Sequence, residues 1–290
     1  MASISSQKIQ GERQLRVIQP TRGWASLQLA EVWEYRELLY FLTWRDVKVR
    51  YKQAVLGVVW AIIQPVLTMV VFTVVFNKIM KVQYTPYMVA GKEVPYPVFI
   101  YTALLPWQLF AGAIARAGSS VVGSANLLTK VYFPRLIIPI SAVVGGLVDL
   151  GISFVVFLAL MACYGFMPTW HVVWLPFLVL LAMATALAFG LWLSALNVLY
   201  RDVQYLIPFL VQLWMFLSPV VYAPTFSNPV YTFLYSLNPM AGVINGFRWA
   251  LIGGPAPSGT ILISALMVAV ILVTGLLYFK RMERTFADVV

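Results

Sequence analysis

The chain has 290 residues, of which 61% are hydrophobic and only 10% charged, with a mean hydropathy of +0.85, a balance that excludes an ordinary soluble domain and reads as an integral membrane protein. A single cysteine, Cys163, excludes an intrachain disulfide, and a single histidine, His171, excludes a histidine metal cluster or a His-based triad within one chain. The net charge of +10 then reads as a topology signal, because Lys and Arg are retained on the cytoplasmic side of bacterial membrane proteins.

Residues 1–30 are expected to be a polar leader. The first apolar run starts too late for a cleavable signal peptide. Between residues 31 and 56, Trp33, Leu38, Tyr40, Phe41 and Trp44 alternate with charged residues. That pattern predicts an amphipathic helix lying in the membrane interface. Its end carries four cations, Arg45, Lys48, Arg50 and Lys52, against one acid, Asp46. Plain positive-inside anchoring and a partner contact explain these charges equally well.

From Gly57 to Phe76 there is no charge, a run of about 20 residues that suffices to cross about 30 Å of hydrocarbon as a helix. Six spans are predicted within residues 57–279, at 57–77, 97–117, 141–163, 172–198, 204–222 and 260–279, followed by a tail at 280–290. Pro65, Pro106 and Pro208 fall inside spans and predict kinks. Residues 223–257 are too interrupted by Pro and Gly to span once, and too apolar for a solvated loop. A re-entrant pair of short helices on the outer side is the expectation. The fold class is therefore all-α, six-span, with an interfacial helix before it and outer helices between spans five and six.

With the N-terminus inside, sixteen of the 20 cations fall on the inner side, which predicts both termini in the cytoplasm. Lys78, Lys81, Lys92 and Arg248 are left outside.

No nucleotide site is legible. A P-loop needs G-x-x-x-x-G-K-[ST], and the only Gly-Lys pair, Gly91-Lys92, runs into Glu93. Asp149 is the one acid in the middle of a span, where an ionisable residue is a functional hypothesis. Pairing with a neighbour such as Arg116 is favoured over proton coupling, since one acid without a second relay group transfers protons poorly. An ion-coupled carrier, and more so a glycan-processing enzyme, are the disfavoured alternatives. Trp60, Gln64, Thr68, Phe72 and Phe76 form an i, i+4 row on the first span. Gln212 and Phe216, followed by Tyr222, mix amide and aromatic groups on the fifth. Such stripes suit a wet path for sugars, whose C–H faces stack on rings while hydroxyls need polar partners. Helix–helix packing explains the spacing as well.

Four segments, in this order, resemble the permease subunits of ABC-2-type exporters of polysaccharides, the Wzm-like O-antigen and TagG-like teichoic-acid group. They are WRDVKVRYKQAVLGVVWAIIQP at 44–65, NLLTKVYFPRLIIPIS at 126–141, LNVLYRDVQYLIPFLVQLWMFLSPVVY at 196–222 and NPMAGVINGFRWALIGG at 238–254. The resemblance spans residues 31–285. It implies a homodimer in the bacterial inner membrane, bound to two copies of a separate cytoplasmic ATPase that uses ATP and Mg, with no cofactor on this chain and no role for nucleic acid. It implies a channel lined by the first and fifth spans, hence Trp60, Gln64, Thr68, Phe72, Phe76, Gln212, Phe216 and Tyr222. A lipid-pyrophosphate head would meet Arg45, Lys48, Arg50, Lys52, Leu56 and Gly57 at the channel mouth. Leu128, Thr129, Lys130, Tyr132, Phe133, Pro134 and Arg135 would form the ATPase coupling segment, and Tyr231, Tyr235, Asn238, Pro239, Phe247 and Arg248 the outer gate. O-antigen-like polysaccharide is the first expectation for the cargo. Teichoic acid or another polyol phosphate comes next, and a small-molecule ABC-2 exporter after that.

Overall fold

A computed structural model describes residues 29–52, 57–81, 87–89, 91–222, 228–257 and 259–289. The leader before Leu29, residues 53–56 with Leu56, and residues 223–227 of the predicted re-entrant stretch lie outside the described residues. The interfacial segment is two helices, α1 (Leu29–Glu34) and α2 (Arg36–Lys52), offset at Tyr35. Trp33, Tyr40, Phe41 and Trp44 stay exposed, while Leu42 and Val47 are buried. Aromatic rings facing outward from a helix that rests on the bundle are suited to the headgroup level.

Gly57, at φ 46° and ψ −125°, turns the chain into α3 (Val58–Phe72), a conformation that a Cβ would strain. α3 passes into a π-helical segment at Thr73–Ile79. Next come a small hairpin, β1 (Met88–Val89) with β2 (Lys92–Glu93), and the 28-residue helix α4 (Tyr96–Gly123). A short α5 (Ala125–Lys130) precedes α6 (Ile137–Val144) and α7 (Gly146–Cys163), which form one apolar stretch bent at Gly145. A 3₁₀ turn at Trp170–Trp174 opens α8 (Leu175–Leu199). Then follow α9 (Val203–Leu217), α10 (Pro229–Ser236), α11 (Pro239–Ile252) and α12 (Thr260–Val289).

Among the described residues, five stretches are long and apolar enough to cross a membrane: Val58–Ile79, Tyr96–Gly123, Ile137–Cys163, Trp170–Leu199 and Thr260–Glu283. α9 is apolar but has 15 residues, about 22 Å of helix. α10 and α11 are each shorter than a bilayer crossing requires.

α4 is the most buried span and α3 the least. α4 packs on α3, α6, α7, α8, α9 and α11. Small residues allow this: a Cβ on Gly190 of α8 would lie 2.7 Å from that of Ala117 on α4, and close backbone approach is what associates helices in lipid. α11 is buried almost all round, more deeply than its mixed sequence suggests, because α4, α8 and α12 enclose it.

The bundle has two distinct ends. At one, Leu42 of α2, Leu128 of α5, Phe133, Leu136, Ile137, Val198 of α8, and Phe279 and Phe286 of α12 form a single apolar cluster. At the other, Thr169 Oγ1 donates to the Ala250 carbonyl at 2.7 Å, and His171 lies 4.6 Å from the Trp249 ring. The described start and end of the chain therefore share one end of the bundle.

Candidate functional site

A groove of about 400 Å³ opens between α3, α4 and α7, with Met215 of α9 on its rim. From α3 come Trp60, Gln64 and Thr68; from α4, Trp107, Gln108 and Arg116; from α7, Asp149 and Ser153; Arg50, Tyr51 and Gly57 complete it. Trp60 is 55% exposed. Thr68 Oγ1 donates to the Gln64 carbonyl at 2.8 Å, occupying the proton of its hydroxyl close to Pro65.

The i, i+4 row does not hold to one face. Each four-residue step on an α-helix advances about 400°, so the row drifts by about 40° per step. Phe72 is therefore turned well away from Trp60. Phe72 and Phe76 pair edge to face at 5.6 Å and pack against the main core. Trp60, Gln64 and Thr68 line the groove; Phe72 and Phe76 do not. On α9, Gln212 and Phe216 are exposed outside the groove, and the Tyr222 hydroxyl donates to the Phe216 carbonyl at 3.4 Å.

Four side chains converge at one end of the groove. Asp149 Oδ2 accepts from Arg50 Nη1 at 2.5 Å and from Arg116 Nη1 at 3.3 Å, and Asp149 Oδ1 accepts from the Tyr51 hydroxyl. Arg116 Nε donates to the Ala142 carbonyl at 3.3 Å. Its guanidinium lies between two glycines: a Cβ on Gly112 would come within 2.9 Å of Nη1, and one on Gly146 within 2.7 Å of Nη2. Burial, then the hydrogen bond to Asp149, pushes the Tyr51 phenol up to about 12, so it remains a donor at neutral pH. An acid among apolar helices is thus held by three donors from two other helices, as charge in a membrane protein demands. The other cations of α2 behave differently. Arg45 pairs locally with Asp46 at 2.8 Å, Lys48 lies over Trp44 at 5.6 Å, and Lys52 is exposed.

The segment between α4 and α6 is anchored at both ends and bare in the middle. Leu128, Phe133 and Pro134 are buried, whereas Lys130, Val131 and Tyr132 project outward, Tyr132 at 72% exposure. Thr129 lies on α5. The Arg135 amide donates to Glu283 Oε1 at 3.3 Å, and its guanidinium donates to the Glu283 carbonyl, tying this segment to the end of α12.

Between α9 and α11 a second polar junction satisfies a broken backbone. Arg248, 1% exposed, donates to the carbonyls of Val220 at 3.0 Å and Tyr222 at 3.2 Å and stacks 3.9 Å over Phe99. The Tyr96 hydroxyl donates to the Val221 carbonyl at 2.9 Å. Asn238 caps α11 through Met240 N–H at 3.1 Å, accepts from Trp214 Nε1 at 3.0 Å and donates to Ser218 Oγ at 3.0 Å. Pro239 and Phe247 are buried, Tyr231 is exposed and Tyr235 half-buried. Irregular backbone at membrane depth is tolerated only with such partners.

Sequence reasoning named Asp149 and one of its partners, Arg116, but missed Tyr51, Trp107 and Met215. Asp149, alone in an apolar run, was the available signal. Trp107 resembles any other aromatic of a mixed helix until the groove is assembled.

Comparison with known proteins follows the same outline. The family pattern described as "ABC-2 type transporter" matches residues 37–252. The chain is 32% identical over 262 residues to the "O-antigen export system permease protein RfbA" of Myxococcus xanthus, covering 89% of this chain and 97% of the relative. A protein of the same name from Klebsiella pneumoniae is 27% identical over 255 residues, covering 87% of this chain and 95% of the relative.

Proposed function

This chain belongs to the ABC-2 type transporter family, and we propose that it is the permease subunit of an ATP-driven exporter of lipid-linked, O-antigen-like polysaccharide. It is a multi-pass membrane protein and a transport subunit. In this reading two copies form the path across the bacterial inner membrane, and two copies of a separate cytoplasmic ATPase bind and hydrolyse Mg-ATP. The observation that carries the cargo is the groove on α3. It combines Trp60 and Trp107 with Gln64, Gln108 and Thr68, rings for sugar faces beside donors and acceptors for hydroxyls, on the least covered span of the protomer. The names of the relatives point to the same cargo.

The orientation of this reading places both termini in the cytoplasm. Its support is the cation distribution, together with the meeting of α2, the 128–137 segment and the end of α12 in one cluster. The exposed Lys130–Tyr132 edge then faces the ATPase, and the Arg248 junction faces outward.

The test is complementation. A strain lacking the permease of an O-antigen exporter receives this chain with its cognate ATPase, and surface glycan is read by immunoblot. Restored long-chain glycan, and an ATPase that co-purifies with the permease, are expected. Membrane-inserted protein that holds the ATPase yet exports no glycan would overturn the reading.

A further inference from the structure

α12 reaches both ends of the bundle and is gripped at each by polar contacts to a different part of the chain. At the inner end the Arg135 amide donates to Glu283 Oε1 at 3.3 Å, and the Arg135 guanidinium donates to the Glu283 carbonyl. Lys280 Nζ meets the other carboxylate oxygen, Glu283 Oε2, at 2.7 Å, with both side chains largely buried. Phe279 and Phe286 flank this grip and are buried together with Leu128, Phe133 and Leu136, the residues that anchor the exposed Lys130–Tyr132 edge.

At the outer end the grip is Ser264, which is fully buried. Its Oγ donates to the Ser236 carbonyl at 3.1 Å, with the Asn238 carbonyl at 3.4 Å. A Cβ on Gly242 would fall 2.6 Å from that Oγ, so α11 closes directly over it. Asn238 in turn holds the end of α9, since its side chain accepts from Trp214 Nε1 at 3.0 Å and donates to the Leu217 carbonyl at 3.2 Å. One helix therefore joins the segment around Arg135 to the break that follows α9.

That helix is stiff. Among the described residues, Thr260–Glu283 is the one membrane-crossing stretch without a proline. Sharp kinks arise at proline, at Gly/Ser pairs or at π-bulges, and α12 runs as continuous α-helix over 30 residues. About 28 Å of helix separates Ser264 from Glu283. Between them Gly275 brings α12 against α8: a Cβ there would fall 2.9 Å from the Ala188 carbonyl and 3.0 Å from the Trp192 ring. Tyr278 stacks on the same ring at 4.5 Å. A straight helix pinned near its middle and gripped at both ends behaves as a lever, because close-packed interiors transmit a displacement instead of absorbing it.

We propose that α12 carries the nucleotide state of the ATPase from the inner segment to the outer end of the path, with Glu283 and Ser264 as positioning residues at its two grips. The proposal rests on the exporter reading, which sets the Lys130–Tyr132 edge against the ATPase, and deepens it by naming the element that links that edge to the break after α9. Glu283 takes up a movement of Arg135. Ser264 passes it to the Ser236–Asn238 backbone, and Asn238 passes it to α9. Neither residue lines the groove, so replacing either leaves the side chains around Trp60 and Gln64 in place.

The experiment uses the full permease with its ATPase in nanodiscs. Cys163, which is exposed, is replaced by Ser, and Val230→Cys puts a single thiol at an exposed position of α10. The rate of its reaction with a charged maleimide is measured without nucleotide and with ATP and vanadate. Nucleotide should change that rate by at least about fivefold, the low end of coupling between distant sites. In Glu283→Ala and in Ser264→Ala the ratio should fall to near one, while the ATPase still co-purifies and hydrolyses ATP. Glu283→Gln keeps an acceptor for the Arg135 amide and should retain most of the response. Grips that serve packing alone predict an unchanged ratio in both alanine variants, and that result overturns the proposal. So does a Gln variant as unresponsive as the Ala variant. Should the alanine variants fail to assemble, Val270→Gly combined with Val273→Gly is read instead. Both valines are half-exposed on α12, away from either grip, and two glycines there soften the helix. Loss of the response supports the lever, and an intact response overturns it. A parent protein that restores glycan export on complementation, yet shows no nucleotide response at this thiol, overturns the lever and leaves the exporter reading intact.

Discussion

Arg50 and Asp149 lie 99 residues apart in the chain, yet Nη1 of the first donates to Oδ2 of the second at 2.5 Å. The contact ties the interfacial helix to the third span at the point where the groove begins. Both side chains are about 30% exposed, between the surface pairs that contribute little and the buried pairs that are costly to break.

A double-mutant cycle on Arg50→Gln and Asp149→Asn should return a coupling of about 1 kcal/mol. Melting of the purified permease in detergent measures it. Asp149→Ala alone should cost more than Arg50→Gln alone, because it leaves two guanidiniums facing each other.

Tyr51→Phe removes one donor to Asp149 and should lower stability by about 1 kcal/mol. The wild-type contribution also depends on pH. The folded phenol titrates near 12, above the ordinary value of 10.0, so the unfolded chain loses its proton first. The contribution is complete below pH 10 and is lost as pH rises towards 12. The gap in melting temperature between wild type and Tyr51→Phe should narrow across that window. A gap that widens would refute the assignment.

Gly146→Ala should destabilise by about 1–3 kcal/mol, because the new methyl would lie 2.7 Å from Arg116 Nη2 and 3.0 Å from Leu109 Cδ1. Gly151→Ala, on the same helix with nothing within 4 Å, should instead stabilise by about 0.5–1 kcal/mol. Opposite signs five residues apart are the observable.

Trp60→Ala should change stability by less than about 1 kcal/mol, as expected for a half-exposed side chain, while sharply reducing glycan export. Phe76→Ala should do the reverse, costing about 2 kcal/mol through lost packing with export per folded molecule near wild type. Export and melting measured on both variants separate a path residue from a core residue.

Arg248→Met leaves the carbonyls of Val220 and Tyr222 without their donor inside the bundle and should cost about 2–4 kcal/mol. Tyr96→Phe, which removes the donor to the Val221 carbonyl, should cost about 1 kcal/mol. Expression level and melting temperature should rank the two in that order.

The apolar helices were legible because hydrocarbon thickness imposes a length, and Val58–Ile79 or Thr260–Glu283 stand out by that measure alone. The basic end of α2, the broken stretch around Asn238 and the absence of a P-loop were equally readable, each from a local pattern. Asp149 was visible as an oddity, since a lone acid among apolar residues advertises itself in one dimension.

Its full set of partners was not visible. A sequence shows which charges must be neutralised but not by whom, and here Arg50, Tyr51 and Arg116 come from α2 and α4. The row from Trp60 to Phe76 was legible as a spacing, yet the 40° drift per step divides it between groove and core, and only the packing of α4 against α3 says where the division falls. The sequence by itself determined the elements and their chemistry, because these follow from lipid, propensity and charge acting locally. Tertiary structure alone decided that Arg50 and Asp149 meet, because that depends on how α2 crosses the bend at Gly145, and no local rule encodes a crossing.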